Sequence, residues 1–510
     1  MKPLRFMRLL CCRAVLLPAL VLLEAVLFFC TVWLLAHRWP LVALLLHAMS
    51  IVAVLYIVSK YDNPDYKLAW VILILMVPIL GGLIYLLSGN KRLPRRLKRR
   101  IAGFYEQNLL PISMDSGSEA PLAMLDEHLA AQSIYLKNCT GFSAWQNTVC
   151  EFFPSGNALF DRMCHELETA EKFIFMEYFI IKPGLLWERL IRLLENKARA
   201  GVLVRLMYDD VGTMSQLPRH FAKTLREKGI EVTVFNPCRM HVNPSMNYRD
   251  HRKICVIDGN IGFCGGANLA DEYINRLPRC AHWKDTGVLL KGHGVWNLTL
   301  LFLSLWGFSN DAQPDDFSSF VPTVTCQSDG FIQAFGDSPL DALYVAESFC
   351  LKTIARATKY IYITTPYLIL GHEMISALGT AALSGVDVRI ITPAVPDKWY
   401  VHTVSRSYYT ALLRHGVRIF EYQTGFIHAK QLVSDDITAM VGTTNLDFRS
   451  FYLHFECAVC LYGNSAIKNI LDDVNDTLAC CREITFEETQ QFPLRQRIIA
   501  AILRPFAPLF

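Results

Sequence analysis

The sequence predicts an α/β protein, with N-terminal transmembrane helices followed by two α/β sandwich lobes that form a pseudo-dimer. Three observations predict it. The 510-residue chain is 52% hydrophobic and only 19% charged, with a mean hydropathy of +0.26, and the excess sits in the first ninety residues. What remains, about 420 residues, is too long for one ordinary core and suits two units of about 200 each. That remainder repeats a pattern of helices and β-branched strands, and both copies end in the same polar string.

The membrane domain, residues 1–90, rests on three apolar runs at 14–36, 41–59 and 68–88. Each is long enough to cross a hydrocarbon core as a helix, and a secretory signal would be shorter and would not be followed by two more. Residues 91–150 read as a basic juxtamembrane linker, because seven of the ten residues from Lys91 to Arg100 are Lys or Arg. Such a cluster lies within reach of anionic headgroups and also acts as a topogenic signal. With three spans, six Lys or Arg flank one side and eight the other. The positive-inside rule therefore predicts a multi-pass protein of the cell membrane with a cytoplasmic catalytic part.

Composition excludes several classes. The chain is neither disordered nor collagen-like. A net charge of +4 opposes nucleic-acid binding through bulk charge. Sixteen scattered cysteines make no disulfide framework and no zinc-finger spacing, which fits reduced thiols facing a cytoplasm.

The first lobe, residues 151–325, opens with helix and strand in ALFDRMCHELETAEKFIFMEYFI (158–180), then a helix LLWERLIRLLENKARAG and strand VLVRLMYDD (202–210). The second lobe, residues 326–490, repeats this in LDALYVAESFCLKTIARATKYIYITTPYLI (340–369) and VDVRIITP (386–393). Each adds an edge-like strand, KGIEVTVF (228–235) and HGVRIFEY (415–422). Such alternation builds a parallel or mixed sheet covered by helices. Gly229 precedes His251 by 22 residues whereas Gly416 precedes His428 by 12, so residues 236–250 carry an extra loop, either over the mouth of the site or on an ordinary surface.

Each copy then presents HxKxxxxD, as His251, Lys253 and Asp258 and as His428, Lys430 and Asp435. On an extended strand each His and Lys pair shares a face. GGAN with Asn268 and GTTN with Asn445 follow at the same offset, then Asp285 and Glu456. A carboxylate beside an imidazole fixes its tautomer and raises its basicity. Two His, two Lys and two Asn make a cationic pocket suited to a phosphodiester: one imidazole attacks phosphorus, the other protonates the leaving alkoxide, and the cations neutralise the equatorial oxygens. A metal site is disfavoured, since each His has a Lys two residues away on the same face, so no metal and no cofactor are expected.

The strings NYRDHRKICVIDGNIGFCGGANLADEY, SRSYYTALLRHGVRIFEYQTGFIHAK and VGTTNLDFRSFYLHFE resemble bacterial cardiolipin synthase, of the phospholipase D superfamily. So does YDNPDYKLAWVILILMVPILGGLIYLLSG at 61–89. The resemblance implies two phospholipase D-like lobes that condense two phosphatidylglycerol molecules into cardiolipin and glycerol. The transfer is reversible and runs through a phosphohistidine. It implies membrane phospholipids as partners and no nucleic acid. Carried over by position, His251, Lys253, Asp258, His428, Lys430 and Asp435 form the catalytic set, with His251 favoured as nucleophile and His428 as acid. Asn268, Asn445, Asp285, Glu456, Arg449 and Ser450 would support it or meet phosphate, a structural salt bridge being the other role open to Arg449. A phospholipase D-type hydrolase, or a transferase taking phosphatidylethanolamine as one substrate, is the alternative. The sequence departs from the family at His454, where Asn is usual, at Ser434, where an apolar residue is commoner, and in its first apolar run. Residues 491–510 form a basic amphipathic tail that suits either a membrane surface or the second lobe.

Overall fold

The computed structural model describes residues 37–38, 40–77, 81–82, 84–85, 103, 116–237, 247–277, 281–310, 317–341 and 343–509. The apolar run 14–36, the cluster Lys91–Arg100 and most of the extra loop therefore lie outside the described residues. The chain divides into two compact units, one centred on residues 1–91 and one holding the rest.

In the first unit, the run 41–59 folds as the helix Pro40–Ser59. Asn63 starts the next helix, Pro64–Met76, by accepting the N–H groups of Asp65 and Tyr66 at 2.9 and 3.2 Å, with Pro64 pre-set at the first helical position. This run, expected as a span through residue 88, leaves its first helix at Val77, which precedes Pro78 and so is pushed out of helical geometry; residues 81–82 and 84–85 are helical again, and the rest of 78–88 lies outside the described residues. Among the described residues, no helix is long and apolar enough to cross a membrane.

The second unit holds two sheets of matching order. The first runs β1 (Thr148–Phe153), β9 (Gly287–Gly292), β7 (Ile261–Gly265), β6 (Lys253–Ile257), β2 (Phe173–Tyr178), β3 (Leu203–Asp209), β4 (Glu231–Phe235). The second runs β10 (Phe331–Asp337), β17 (His454–Tyr462), β16 (Thr438–Gly442), β15 (Gln431–Ser434), β11 (Tyr360–Thr364), β12 (Asp387–Pro393), β13 (Arg418–Tyr422), β18 (Cys481–Ile484). In both, three neighbouring strands are parallel (β2, β3, β4; β11, β12, β13) and the neighbours on the other side are antiparallel. β2 is buried at every residue, as a continuous apolar strand covered on both faces must be. The helix Leu185–Arg199 covers one face through Leu186, Trp187, Leu190 and Leu194. On the other face, one continuous core extends from the first sheet through the helix Val295–Asn310 into the second sheet. Phe302 of that helix stacks on Phe175, ring centroids 4.6 Å apart.

Two short strands cross between the lobes. β5 (Arg249–Asp250) pairs in parallel with the start of β17, and β14 (Gly425–Ile427) pairs in parallel with β8 (His282–Lys284). Each delivers its lobe's histidine to the opposite lobe.

The stretch 91–150, expected as a linker, is folded into the second unit from residue 116 onward. Its helices Glu119–Leu125 and Glu127–Thr140 pack on the second lobe, where Gln132 donates to Thr353 Oγ1 at 2.7 Å and Arg356 pairs with Asp126 at 3.2 Å. Described residues of the tail form the helix Leu494–Leu503, packed on the helix Trp399–Arg414.

Asp258 and Asp435 end β6 and β15 in left-handed backbone, φ 53° and 51°. Asp258 accepts the N–H groups of Glu171, Lys172 and Phe173 at 2.7–2.8 Å, and Asp435 those of Thr358, Lys359 and Tyr360 at 2.7–3.0 Å. Both thereby fix the entry of a central strand. Burial pushes the Asp435 carboxyl up, but these N–H groups outweigh it and hold the group below its usual range. Asp435→Ala therefore removes acceptors from three N–H groups and should cost on the order of 2–4 kcal/mol in urea unfolding at pH 7. Because the wild-type stabilisation exists only above the ordinary carboxylate pKa and is lost as pH falls through the depressed one, the difference between the proteins should shrink below about pH 4.

Candidate active site

Backbone pairing places the histidines. His251 N–H donates to Phe455 O at 2.9 Å, and His428 N–H donates to Lys284 O at 2.7 Å. The residue after each acceptor is the carboxylate that the imidazole meets. His251 Nδ1 lies 2.9 and 3.0 Å from the two oxygens of Glu456, and His428 Nδ1 lies 2.7 Å from Asp285 Oδ2. Each pair joins one lobe to the other. Both carboxylates are fully buried, and both histidines are 7% exposed. A carboxylate on Nδ1 holds the proton there and leaves Nε2 bare as the nucleophilic or proton-exchanging atom.

Lys253 and Lys430 donate back to the carbonyls of His251 and His428, which fixes each ammonium beside its imidazole. Lys430 Nζ is also 2.8 Å from His428 Nδ1. Aromatic rings wall the pocket: Phe179 is 5.0 Å from His251 between ring centroids, and Tyr273, Trp283 and Phe426 are 5.5, 5.6 and 5.9 Å from His428. In this dry setting burial is the main cause of every shift. Burial, then Lys253, Lys430 and His428, hold the His251 imidazole well below its usual value. His428 is lowered to about 4 by burial and Lys430, against the pull of Asp285. Lys253 is lowered to about 8 and Lys430 to about 7, each mainly by burial. Each motif's charges act on the other's imidazole, so the two converge on one pocket.

The halves are not equivalent. Glu456 accepts the hydroxyls of Thr443 and, at 2.7 Å, of Ser450 as well as His251. Asp285 has, besides His428, the Thr286 N–H at 2.9 Å. The position equivalent to Thr443 is Gly266, where an added Cβ would stand 2.2 Å from Asp285 Oδ1. Glycine is required there for the carboxylate to fit. Glu456 is thus shared among three donors, and Asp285 is left more fully to its histidine.

Of the twelve residues that the sequence singles out, the structure gathers His251, Lys253, His428, Lys430, Asp285, Glu456 and Ser450. Asn268 is consumed in scaffolding: its Oδ1 accepts Ile180 N–H at 3.0 Å and its Nδ2 donates to Tyr273 Oη at 2.8 Å. Asn445 is its counterpart, but its buried Oδ1 has no partner among the described residues. Arg449 makes no salt bridge among the described residues and donates from Nε to His454 Nε2 at 3.2 Å. Asp258 and Asp435 stand apart, five residues along their strands at the turn described above.

Thr443, which the sequence offers only as a small residue of GTTN, and the aromatic walls lie outside those twelve. Their signal lay inside the quoted strings, in a threonine opposite a glycine and in the residues flanking each histidine. His454, noted only as a departure, lies beside His251, ring centroids 5.3 Å apart. His251, His454 and Glu456 hold ligand-type atoms within 4.8 Å of one another, but they share the pocket with lysines whose charge opposes a dication.

The paired motifs lie within regions that match the family profile "Cardiolipin synthase, PLD-like domain", over residues 163–277 and 350–477. Residues 48–90 match the profile "Phospholipase D-nuclease N-terminal". A protein of Geobacillus kaustophilus named cardiolipin synthase is 34% identical over 479 residues, 91% of this chain and 93% of that one. This chain belongs to the cardiolipin synthase family of phospholipase D-like proteins. Among other members, cardiolipin synthase 2 of Bacillus cereus is 33% identical over 88% of this chain and 87% of its own. An uncharacterised Streptococcus mutans protein is 39% identical over 90% and 99%. In fold, the chain also resembles the phosphatidylserine synthase of Haemophilus influenzae, with a TM-score of 0.56 at 13% identity, covering 74% of this chain and 98% of that one.

For this cardiolipin synthase family member the lysine values carry a pH dependence. The free enzyme's lysines lose their protons near pH 7–8, and the role in holding an anionic phosphodiester proposed below calls for the protonated form. The apparent kcat/KM, which reports on the free enzyme, should therefore decline between pH 7 and 9. A bound anion raises the lysine pKa values, so kcat should decline only at higher pH. Initial rates over a range of lipid mole fractions separate the two profiles.

Proposed function

We propose a route for the phosphatidyl transfer that membership of the cardiolipin synthase family gives this chain. His251 Nε2 attacks the phosphorus of one phosphatidylglycerol, forming an N–P bond as the P–O bond to glycerol breaks. His428 gives its Nε2 proton to the departing glycerol oxygen. A second phosphatidylglycerol then gives its hydroxyl proton to His428, and its oxygen attacks phosphorus, breaking the N–P bond and releasing cardiolipin. Lys253 and Lys430 neutralise the non-bridging oxygens throughout.

The observation that carries this reading is the crossed pair of imidazole–carboxylate contacts with its unequal halves. Glu456, divided among three donors, supports a His251 that stays neutral and nucleophilic. Asp285 supports a protonated His428, and a phosphodiester bound between the lysines adds the negative charge that raises its pKa from the empty-pocket value. His454, at the edge of the Glu456 network, bears on the choice of the second lipid.

Membrane association completes the reading. In the helix Pro40–Ser59, Leu41, Leu44, Leu45, Met49, Val52 and Leu55 are all exposed, which suits hydrocarbon rather than water. Residues 1–90 as an anchor, with the basic cluster from Lys91 toward a cytoplasmic surface, would let lipid substrates enter laterally.

With labelled phosphatidylglycerol as the only lipid, the products should be cardiolipin and glycerol in equal amounts. Phosphatidic acid in place of cardiolipin would identify a hydrolase. His251→Ala and His428→Ala should each lower transfer by on the order of a thousandfold or more while the protein stays folded, and a chelator should leave the rate unchanged. Normal turnover in either variant would sink the two-histidine route.

A further inference from the structure

The helix Leu494–Leu503 reverses the usual polarity of a surface helix. Its less exposed face is Gln496, Ile499, Ala500 and Leu503, at helical spacing. Leu494, Ile498 and Ile502, four residues apart on the other side, are 69%, 51% and 60% exposed, with exposed Arg495 and Arg497 beside them. A surface helix ordinarily turns polar residues outward.

A cavity of about 250 Å³ opens at the edge of this stripe. Thr403, Ser407, Gln496, Arg497, Ala501 and Arg504 line it. Arg406, also at its wall, is neutralised by Glu421 at 2.8 and 2.9 Å. Among the described residues, Arg497 and Arg504 face no carboxylate in an ion pair, and Arg504 instead donates to Ser407 O at 3.2 Å and lies 4.4 Å from the Tyr408 ring centroid. The Thr403 and Ser407 hydroxyls donate to the carbonyls of Trp399 and Val404, so what the lining offers an anion is its guanidinium groups, the chemistry that recognises a phosphate ester.

One helix of this surface begins beside a lysine whose charge bears on a site histidine. The helix Trp399–Arg414 starts directly after Lys398, whose Nζ lies 5.7 Å from the Tyr367 ring centroid, and Tyr367 donates to Asp397 at 2.7 Å. The charge of Lys398 bears on His251. Trp399 is 63% exposed, and Thr403 Oγ1 donates to its carbonyl at 2.8 Å. Trp399, Thr403, Ser407 and Thr410 follow helical spacing, so the exposed indole and the cavity wall occupy one side of one helix. Exposed indole beside unpaired arginines is the composition of a membrane interface.

We propose that this side of the molecule is a bilayer-docking face, in which Leu494, Ile498, Ile502 and Trp399 enter the headgroup region and the cavity edged by Arg497 and Arg504 takes the phosphate of an anionic phospholipid. The choice of a bilayer over a protein partner rests on the lipid-transferase reading, and the unpaired arginines select an anionic surface. Docking there would hold the mouth of the catalytic pocket against the layer in which its substrate is dissolved.

The test is backbone hydrogen exchange of the full chain in lipid nanodiscs. Discs of phosphatidylcholine with phosphatidylserine are compared with discs of phosphatidylcholine alone. Amides of Leu494–Leu503 should exchange more slowly in the anionic discs. Ile498→Ser/Ile502→Ser should abolish the slowing, and Arg495→Gln/Arg497→Gln should raise the phosphatidylserine fraction needed for half of it by about tenfold or more. All of these side chains are exposed, and exchange in the central strands checks that the variants remain folded. Equal exchange in the two discs, or slowing that persists in both variants, overturns the proposal. The readout is independent of turnover, so a failure to make cardiolipin would refute the transferase reading without deciding this one.

Discussion

The catalytic pocket depends on one exchange: each histidine is completed by a carboxylate from the other lobe. β17 brings His251 its carboxylate, Glu456, and the residue after β8, Asp285, brings His428 its own, beside the Lys430 that His428 already meets within its lobe. The short parallel pairings β5 with β17 and β14 with β8 enforce this, because they fix the backbone one residue before each imidazole and each carboxylate. Half a site cannot form in one lobe alone. The continuous core beneath both sheets is the physical counterpart, since it makes docking of the lobes part of folding rather than a later association.

Such a pocket is costly to assemble, because two lysines and two carboxylates leave water together. The arrangement limits the cost by pairing opposite charges across the interface and by satisfying each carboxylate with neutral donors. The lysines donate to the carbonyls of His251 and His428, yet burial still lowers their pKa values to about 8 and about 7. In the route proposed above, a phosphodiester would bring the counter-charge for these lysines, and burial would become affinity for a charged group in an otherwise apolar lipid.

The repeat was legible because both of its signals are local: buried strands read as apolar runs, and HxKxxxxD puts His and Lys on one face. Which carboxylate serves which histidine was not legible, since Asp285 and Glu456 follow their own lobe's motif in sequence and cross over only in space. The aspartates of the motif illustrate the converse. Asp258 and Asp435 share the string with the catalytic pair, yet five residues of strand carry them to a turn where they cap backbone N–H groups. Spacing within a motif records co-occurrence and leaves roles undetermined. Asn268 and Asn445 match in sequence and differ in use, one bound to Ile180 and Tyr273, the other with a buried oxygen that has no partner among the described residues.

The same comparison explains how a duplicated fold runs an asymmetric reaction. Two identical half-sites would give two imidazoles of equal basicity, with nothing to decide which attacks and which gives up a proton. Here the difference comes from the donors around each carboxylate, Thr443 and Ser450 standing where the first lobe has Gly266 and Tyr273. Gly266 leaves room for Asp285 and offers it no side-chain donor, whereas Thr443 places a hydroxyl on Glu456 beside that of Ser450. Each added donor withdraws negative charge from the contact with His251 and so lowers its preference for the charged form. Asp285, with fewer donors, keeps that charge for His428. In the route proposed above, the order of proton and phosphoryl movements would be set by the residues that satisfy the carboxylates rather than by the histidines alone.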